Sequence, residues 1–216
     1  MLLELFKDVT VQVQQGARSV STVPLLSQLT MQRDIDGSTP LHLAASLTSW
    51  PFWRILMWTQ VWLRPSSATR LLLDANVSTA YQPDNKGLYP IHVAASSGCL
   101  NTVKALLERC PECATLRDVK GRTFLHVAAA KDTVDVVHHV CTTPELFFIL
   151  NAQDKNGDTA LHRAVHAGNI YVADILLAHP GVRADLSNDA AMTPADLSLT
   201  KIPKMSVFFQ LLVSRN

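Results

Sequence analysis

The sequence has little of what marks nucleic-acid-binding or secreted proteins. Lysine and arginine number 19 against 18 aspartate and glutamate residues, so the net charge is +1, whereas generic nucleic-acid binding needs a clear basic excess. The chain has four cysteines, and its first residues combine an early acid with an apolar run too short for a secretory leader. This combination is typical of free thiols in a reducing compartment. We therefore expect a cytoplasmic protein that binds no nucleic acid.

Motifs of the common catalytic centres are also missing from the sequence. There is no phosphate-binding G-x-x-x-x-G-K-[ST], no zinc-binding H-E-x-x-H and no G-x-S-x-G nucleophile turn. One C-x-x-C pair, Cys110 and Cys113, has no second pair at a zinc-site spacing. A zinc site that also used His138, His139 and Cys141 is the less favoured alternative to buried thiols. The sequence thus predicts no enzyme, no cofactor, no metal and no small-molecule substrate.

What the sequence does contain is one frame that occurs five times. It reads D-G-S-T-P-L-H-L-A-A over residues 36–45 and recurs around the histidines at 92, 126 and 162, with aspartate in the histidine slot at 196. The steps between these slots are 50, 34, 36 and 34 residues. A period of about 33 residues that carries T-P-L-H-x-A is the signature of ankyrin repeats. The chain resembles that family from roughly residue 25 to residue 200.

The resemblance implies an all-α ankyrin-repeat solenoid, in which helix-turn-helix units with projecting turns are stacked. We expect residues 24–216 to form the ankyrin-repeat domain and residues 1–23 to form an irregular or partial N-terminal cap. Within the domain, a partial repeat covers 24–33, full repeats start at 34, 84, 118 and 154, and a terminal repeat starts at 188.

Each slot of the frame has a structural task. Glycine at 37, 87, 121 and 157 suits a turn with positive φ, and threonine at 39, 123, 159 and 193 suits a helix N-cap. The family uses the histidine to tie this threonine to the backbone of the next repeat. We therefore interpret the four histidines as structural rather than as a metal-binding or catalytic set. Four positions depart from the frame: Tyr89 replaces the capping threonine, Phe124 and Ala160 replace proline, and Ala191 replaces glycine.

The long first step indicates an insertion of about 16 residues, over residues 50–65, within the first full repeat. It holds all four tryptophans, of which Trp53, Trp58 and Trp62 are candidate contact residues. The segment is short for a membrane span, which needs about 20 apolar residues. Three interpretations stay open: a hydrophobic flap on the solenoid, a contact surface for a protein or membrane interface, and a non-native segment. The outer helix after it is expected to turn the leucines at 71–73 inward.

The other candidate binding residues lie on the predicted turns and inner helices. In stacked repeats these positions form an extended concave surface that binds other proteins. The side chains of interest there are Lys86, Leu88, Tyr89, Lys120, Arg122, Lys155 and Arg163. Because most of them are basic, we hypothesise a patch for an acidic segment of a protein partner. The alternative is a row of solvated turns without a binding role.

Two stretches carry a narrower resemblance. Residues 81–95 read Y-Q-P-D-N-K-G-L-Y-P-I-H-V-A-A, and residues 118–129 read D-V-K-G-R-T-F-L-H-V-A-A. Both look like the ankyrin region of plant accelerated-cell-death-type proteins, which implies cytosolic repeats that precede membrane helices and a role in defence signalling.

Two functions therefore stay open for the chain. The first is a non-catalytic protein–protein interaction scaffold in signalling or plant defence. The second is a membrane-associated signalling module, a fragment of an ankyrin/transmembrane protein. Such a module would contact the bilayer at the cytoplasmic face of the plasma membrane, through the Trp-rich insertion or through a missing C-terminal region.

Overall fold

The computed structural model describes residues 28–46 and 65–201. Residues 28–30 are helical, and after them come the helices α1 (Pro40–Ser46), α2 (Pro65–Ala75), α3 (Pro90–Ser96), α4 (Leu100–Arg109), α5 (Phe124–Ala130), α6 (Val134–Thr142), α7 (Ala160–Ala167), α8 (Ile170–Ala178) and α9 (Pro194–Lys201). Short 3-10 helices at Val77–Tyr81, Pro111–Thr115 and Pro144–Ile149 follow α2, α4 and α6. The expected N-terminal cap and most of the Trp-rich insertion, including Trp53, Trp58 and Trp62, lie outside the described residues.

The helices form two layers. In the inner layer α1, α3, α5, α7 and α9 contact one another in chain order, and in the outer layer α2, α4, α6 and α8 do the same. The inner helices α1, α3, α5 and α7 each also pack on the outer helix that follows them. Within the described residues there is no strand. The predicted all-α solenoid of stacked helix pairs is confirmed.

The inner helices are only seven or eight residues long, too short to persist alone in water. Their ends are defined by the frame. Pro40, Pro90 and Pro194 stand at the first helical position, where the missing N–H costs no hydrogen bond. At the other end of α7, Gly168 has φ 78° and donates its N–H to the Val165 carbonyl at 3.1 Å, as a left-handed C-cap requires.

Burial of one face holds these short helices in place. The residue before each histidine is an aliphatic side chain that is at most 1% exposed: Leu41, Ile91, Leu125 and Leu161. The alanine pairs of α1, α3 and α5 are also buried, and their small size lets neighbouring helices approach closely. Each buried leucine or isoleucine contributes about 1.5–3 kcal/mol relative to exposure, and the series continues from repeat to repeat.

The outer helix α2 corrects one expectation. Leu73 is fully buried, but Leu71 is 62% exposed, so the three leucines do not all face inward. Three consecutive residues of an α-helix span about 200° of its circumference at 3.6 residues per turn. One of the three must therefore point away from the core.

Candidate functional site

Five projecting turns precede the inner helices: residues 34–38, 84–88, 118–122, 154–158 and 188–192. Each opens with an aspartate or asparagine whose Oδ1 accepts the amides two and four residues later. For Asp84 the distances are 2.9 Å to the Lys86 amide and 2.8 Å to the Leu88 amide. The same pair of bonds occurs at Asp34, Asp118, Asp154 and Asn188. These bonds stabilise the turns without a neighbouring strand.

Positive φ is required at one position of every turn. Gly157 has φ 71°, and a Cβ there would lie 2.7 Å from the backbone nitrogen of Asp189, so the next turn packs where a side chain would be. In the last turn Ala191 takes this position with φ 56° and still donates its N–H to the Asn188 carbonyl at 2.8 Å. The turn forms there without glycine, at the cost of a strained alanine.

At three of the four junctions, neighbouring turns are bonded to each other through the backbone. The Asn85 amide donates to the Asp36 carbonyl at 2.9 Å, the Lys155 amide to the Lys120 carbonyl at 3.0 Å, and the Asp189 amide to the Asn156 carbonyl at 3.0 Å. The second residue of one turn therefore lies close to the third residue of the turn before it. The Cα atoms of Lys120 and Lys155, for example, are at most about 7 Å apart by covalent geometry.

The frame histidines connect each repeat to the next, as the sequence predicted. The Nε2 bonds join His42 to the Leu88 carbonyl (2.9 Å), His92 to the Arg122 carbonyl (2.9 Å), His126 to the Asp158 carbonyl (3.0 Å) and His162 to the Met192 carbonyl (3.1 Å). A carbonyl oxygen only accepts, so Nε2 carries the proton and Nδ1 is the acceptor. We call this series the histidine ladder.

The other ring nitrogen of each ladder histidine binds the residue before the inner helix. Nδ1 of His126 accepts the Thr123 amide at 3.2 Å and the Thr123 hydroxyl at 2.8 Å. At the last frame, Asp196 replaces the ring: its Oδ2 accepts the Thr193 amide at 2.9 Å and the Thr193 hydroxyl at 2.7 Å. An ionised carboxylate cannot donate, so Asp196 has no counterpart to the Nε2 bond.

The ladder histidines are electrically neutral at pH 7. Burial lowers the pKa of His42, His92 and His162, and it lowers the pKa of His126 to about 4. The hydrogen bonds to the carbonyls act in the opposite direction but do not outweigh desolvation. A structural role accounts for all four rings, and among the described residues no group of three or more His, Cys, Asp or Glu side chains could hold a metal ion.

The predicted basic residues separate into two kinds. Lys86, Lys120 and Lys155 are exposed on successive turns, and none of them forms an ion pair with a described residue. These three side chains are called the lysine row below. Because Lys120 and Lys155 stand on bonded turns, their backbones lie close together, and no carboxylate of a described residue pairs with either side chain.

Arg122 and Arg163 have their charges compensated within the protein. Arg122 binds the buried Asp118 carboxylate through Nε at 2.8 Å and Nη2 at 2.6 Å. Arg163 binds buried Asp154 through Nε at 2.8 Å and lies 3.4 Å from Asp158. The side chains of Arg122 and Arg163 are only 21% and 20% exposed. They support the turns and add little free positive charge to the surface.

The pKa values of these carboxylates reflect the pairing. Burial by itself would raise the pKa of Asp118, but bonds from the Arg122 guanidinium and from backbone amides outweigh burial and leave the pKa below its usual value. Asp154 shows the same balance with Arg163 and the Asn156 amide. Both carboxylates are therefore ionised at neutral pH and hold their arginines in place.

Leu88 and Tyr89 lie where the second turn meets α3. Both are partly buried, and Tyr89 packs against the core while its ring lies 5.7 Å from that of His92, centroid to centroid. The structure thus brings Lys86, Leu88, Tyr89 and Lys120 to adjacent turns, with Lys155 one turn further. Trp53, Trp58 and Trp62 remain candidates that the described residues do not place.

One group of polar residues was not singled out from the sequence. Asp158 accepts a bond from the Asn188 side chain at 2.8 Å and lies 3.7 Å from Nε2 of His166, next to Arg163. The sequence spacing could have indicated part of this group, because His166 follows His162 by four residues and therefore lies on the same face of the helix. This group joins the fourth turn to the fifth.

The C-x-x-C cysteines are buried thiols. Burial raises the pKa of Cys110, and it raises the pKa of Cys113 to about 12. Both therefore stay protonated at neutral pH, which disfavours metal binding and nucleophilic chemistry. Within residues 28–46 and 65–201, no helix is long and apolar enough to cross a membrane.

Comparison with known proteins agrees with this geometry. A family model described as ankyrin repeats in three copies matches residues 63–147 and 112–189. The human transient receptor potential cation channel subfamily A member 1 is 31% identical over 178 residues, which is 80% of this chain and 14% of that protein. The yeast probable 26S proteasome regulatory subunit p28 is 30% identical over 152 residues, 68% of this chain and 58% of its own.

A third relative is the human NF-kappa-B inhibitor alpha, which is 38% identical over 93 residues, 41% of this chain and 28% of that protein. The matched region is thus less than two thirds of the length of each relative. The ankyrin-repeat model covers more than half of the chain. The protein belongs to the ankyrin-repeat family.

Proposed function

We propose that the chain is a non-catalytic interaction scaffold whose lysine row binds an acidic segment of a protein partner. Ankyrin repeats are protein–protein interaction modules, and that general role follows from the family. The more specific proposal rests on one observation: Lys86, Lys120 and Lys155 are exposed on successive turns without a described ion-pair partner. An acidic segment lying across the turns would relieve the repulsion between Lys120 and Lys155.

Charge reversal tests this proposal. The test variant is Lys120→Glu with Lys155→Glu, and the matched control is Lys104→Glu with Lys131→Glu, which changes the net charge equally at exposed positions away from the turn tips. Each is used for affinity capture from the native cell with quantitative mass spectrometry. We expect the test variant to lose its main partner by about tenfold and the control to retain it, since rim charges govern association. Equal capture by both variants would discard the lysine row as the binding site.

A role in signalling or plant defence is the finer part of the proposal. Its support is the resemblance of residues 81–95 and 118–129 to the ankyrin region of plant accelerated-cell-death-type proteins. On the same resemblance we propose that the protein is cytoplasmic and lies at the inner face of the plasma membrane. Imaging of a fluorescent fusion in living cells, beside a plasma-membrane marker, tests the location, and a uniformly nuclear or luminal signal contradicts it.

A second candidate function is a membrane-associated signalling module. The observation that favours it is the concentration of all four tryptophans in residues 50–65, since tryptophan side chains favour the membrane interface. Flotation with vesicles of phosphatidylcholine, with and without phosphatidylserine, compares the whole chain with a chain that lacks residues 50–65. Flotation of the whole chain alone supports the membrane module. If neither chain floats, contact with the bilayer through this segment is excluded.

A further inference from the structure

Tyr89 breaks the repeat frame at the junction between the second turn and α3. In the other three ladder repeats this position is a threonine, and its hydroxyl binds Nδ1 of the ladder histidine at 2.9, 2.8 and 2.9 Å. His92 instead accepts only the Tyr89 amide, at 3.3 Å. A phenol oxygen lies too far from its own backbone to replace the threonine hydroxyl. This repeat therefore has one structural hydrogen bond fewer than its neighbours.

The fold gains no polar contact in exchange. The Tyr89 hydroxyl forms no hydrogen bond with residues 28–46 or 65–201, although the ring packs against the core. A buried tyrosine hydroxyl usually finds a partner, whereas the hydroxyl of Tyr89 is not among the buried unpaired groups and is open to solvent. Local rules are most often broken at functional positions, so the open hydroxyl indicates that this side chain is kept for a contact outside the repeat.

The surroundings define the chemistry of that contact. Lys86 is exposed three residues earlier on the same turn, and Lys120 occupies the equivalent position on the next turn. Val119, which is 59% exposed, packs so closely on the second turn that a Cβ on Gly87 would lie 2.2 Å from it. Tyr89 thus directly follows the turn that carries exposed Lys86, and the adjacent turn carries exposed Lys120 and Val119.

We propose that Tyr89 is the specificity-determining residue of the binding face, and that its ligand is an extended acidic peptide segment with an apolar side chain between its acidic residues. The ring takes the apolar side chain, the hydroxyl donates to a carboxylate, and the lysine row binds the remaining carboxylates. Tyrosine suits this task because it offers a large contact area with few rotatable bonds. The inference rests on the proposed function, since it names the partner of the same face.

The probe is a random library of displayed peptides about twelve residues long, enough to cross the turns at ~3.3 Å per residue. It is panned on the wild-type chain, and the affinities of the selected peptides are measured by fluorescence anisotropy. Tyr89→Thr restores the missing hydroxyl but removes a ring that packs against the core, so circular dichroism at the assay temperature must show that this variant is folded. Tyr89→Phe keeps the ring and isolates the hydroxyl, and Lys104→Gln is the control at an exposed cation on α4.

We expect the selected peptides to combine acidic and apolar residues. Kd should rise about tenfold or more in Tyr89→Thr, and about threefold in Tyr89→Phe, which loses one hydrogen bond. It should not change in Lys104→Gln. If acidic peptides bind and weaken in Lys120→Gln with Lys155→Gln but not in Tyr89→Thr, the role of Tyr89 is overturned while the lysine row stands. If the selected peptides are not acidic, or none is selected, both the lysine row and this inference are overturned.

Discussion

The histidine ladder predicts that the protein loses stability in mildly acidic solution. Each ladder ring must be neutral, because its Nδ1 accepts an amide hydrogen at 3.1–3.3 Å. A proton there would place two N–H groups against each other. An unfolded histidine has a pKa of about 6.5, whereas burial holds the folded pKa below that value and, for His126, at about 4. The unfolded chain therefore binds protons that the folded chain does not.

The sign and size of the change in unfolding free energy with pH follow from this difference in proton binding. A depressed folded histidine pKa leaves stability intact above pH 6.5 and reduces it as pH falls from 6.5 toward the folded pKa. For His126 the loss is about 3 kcal/mol over pH 6.5 to 4, at 1.36 kcal/mol per pKa unit. Between pH 7.5 and 5.5 His126 alone loses about 1.4 kcal/mol. Burial also lowers the pKa values of His42, His92 and His162, so they add to the loss in the same direction. A typical total stability is only about 5–15 kcal/mol.

Urea unfolding followed by far-UV circular dichroism, at half-unit pH steps from 7.5 to 5.5, measures this loss. Asp118 and Asp154 do not interfere, because their lowered pKa values affect stability only as pH falls below about 4. In His126→Asn the protein should be less stable at pH 7.5 but lose about 1.4 kcal/mol less on acidification. An unfolding free energy that stays constant between pH 7.5 and 5.5, or an equal slope in His126→Asn, would refute the neutral ladder.

Three further predictions concern single positions. Arg122→Ala should lower the free energy of unfolding by about 1–3 kcal/mol, because it removes the partner of the buried Asp118 carboxylate. Lys120→Ala on the same turn should change it by no more than about 0.5 kcal/mol. Urea denaturation at pH 7 compares the two variants, and equal effects contradict the pairing. Tyr89→Thr should be about 1 kcal/mol more stable than Tyr89→Ala, since only threonine supplies a hydroxyl for Nδ1 of His92. Thermal unfolding compares the two variants, and equal midpoints would argue against this hydrogen bond. Gly157→Ala should lower the melting temperature because φ is 71° and a Cβ would clash. Ala191→Gly should instead raise the free energy of unfolding by up to about 1 kcal/mol. A lower free energy of unfolding in Ala191→Gly would show that no strain is stored at this position.

The repeat frame could be predicted from the sequence because its constraints recur. Glycine at 121, threonine at 123 and histidine at 126 serve the same geometry in several repeats, so each copy supports the interpretation of the others. The departures were visible too, and Ala191 adopts the positive φ that its slot requires. What a single slot does when it differs from the others depends on its neighbours in space.

Charge compensation was the main feature that the sequence did not provide. Lys120 and Arg122 look alike in a list of basic turn residues, yet only Arg122 reaches the second oxygen of Asp118, whose first oxygen is used by the turn. Arg163 lies nine residues from Asp154, a spacing with no meaning until the turn and α7 are folded together. The exposure of Leu71 likewise depends on the rotation of α2, which a run of three leucines does not specify.

The first repeat shows why such a chain accepts a long insertion. His42 reaches the Leu88 carbonyl at 2.9 Å across 46 residues, and His92 reaches the Arg122 carbonyl at the same distance across 30. Contacts in a solenoid join equivalent positions of neighbouring repeats, so residues added between α1 and α2 do not lengthen any of them. The added cost is loop closure, about 0.6 kcal/mol for each doubling of length. A chain without residues 50–65 should therefore keep the ladder, which makes it a valid comparison in the flotation experiment.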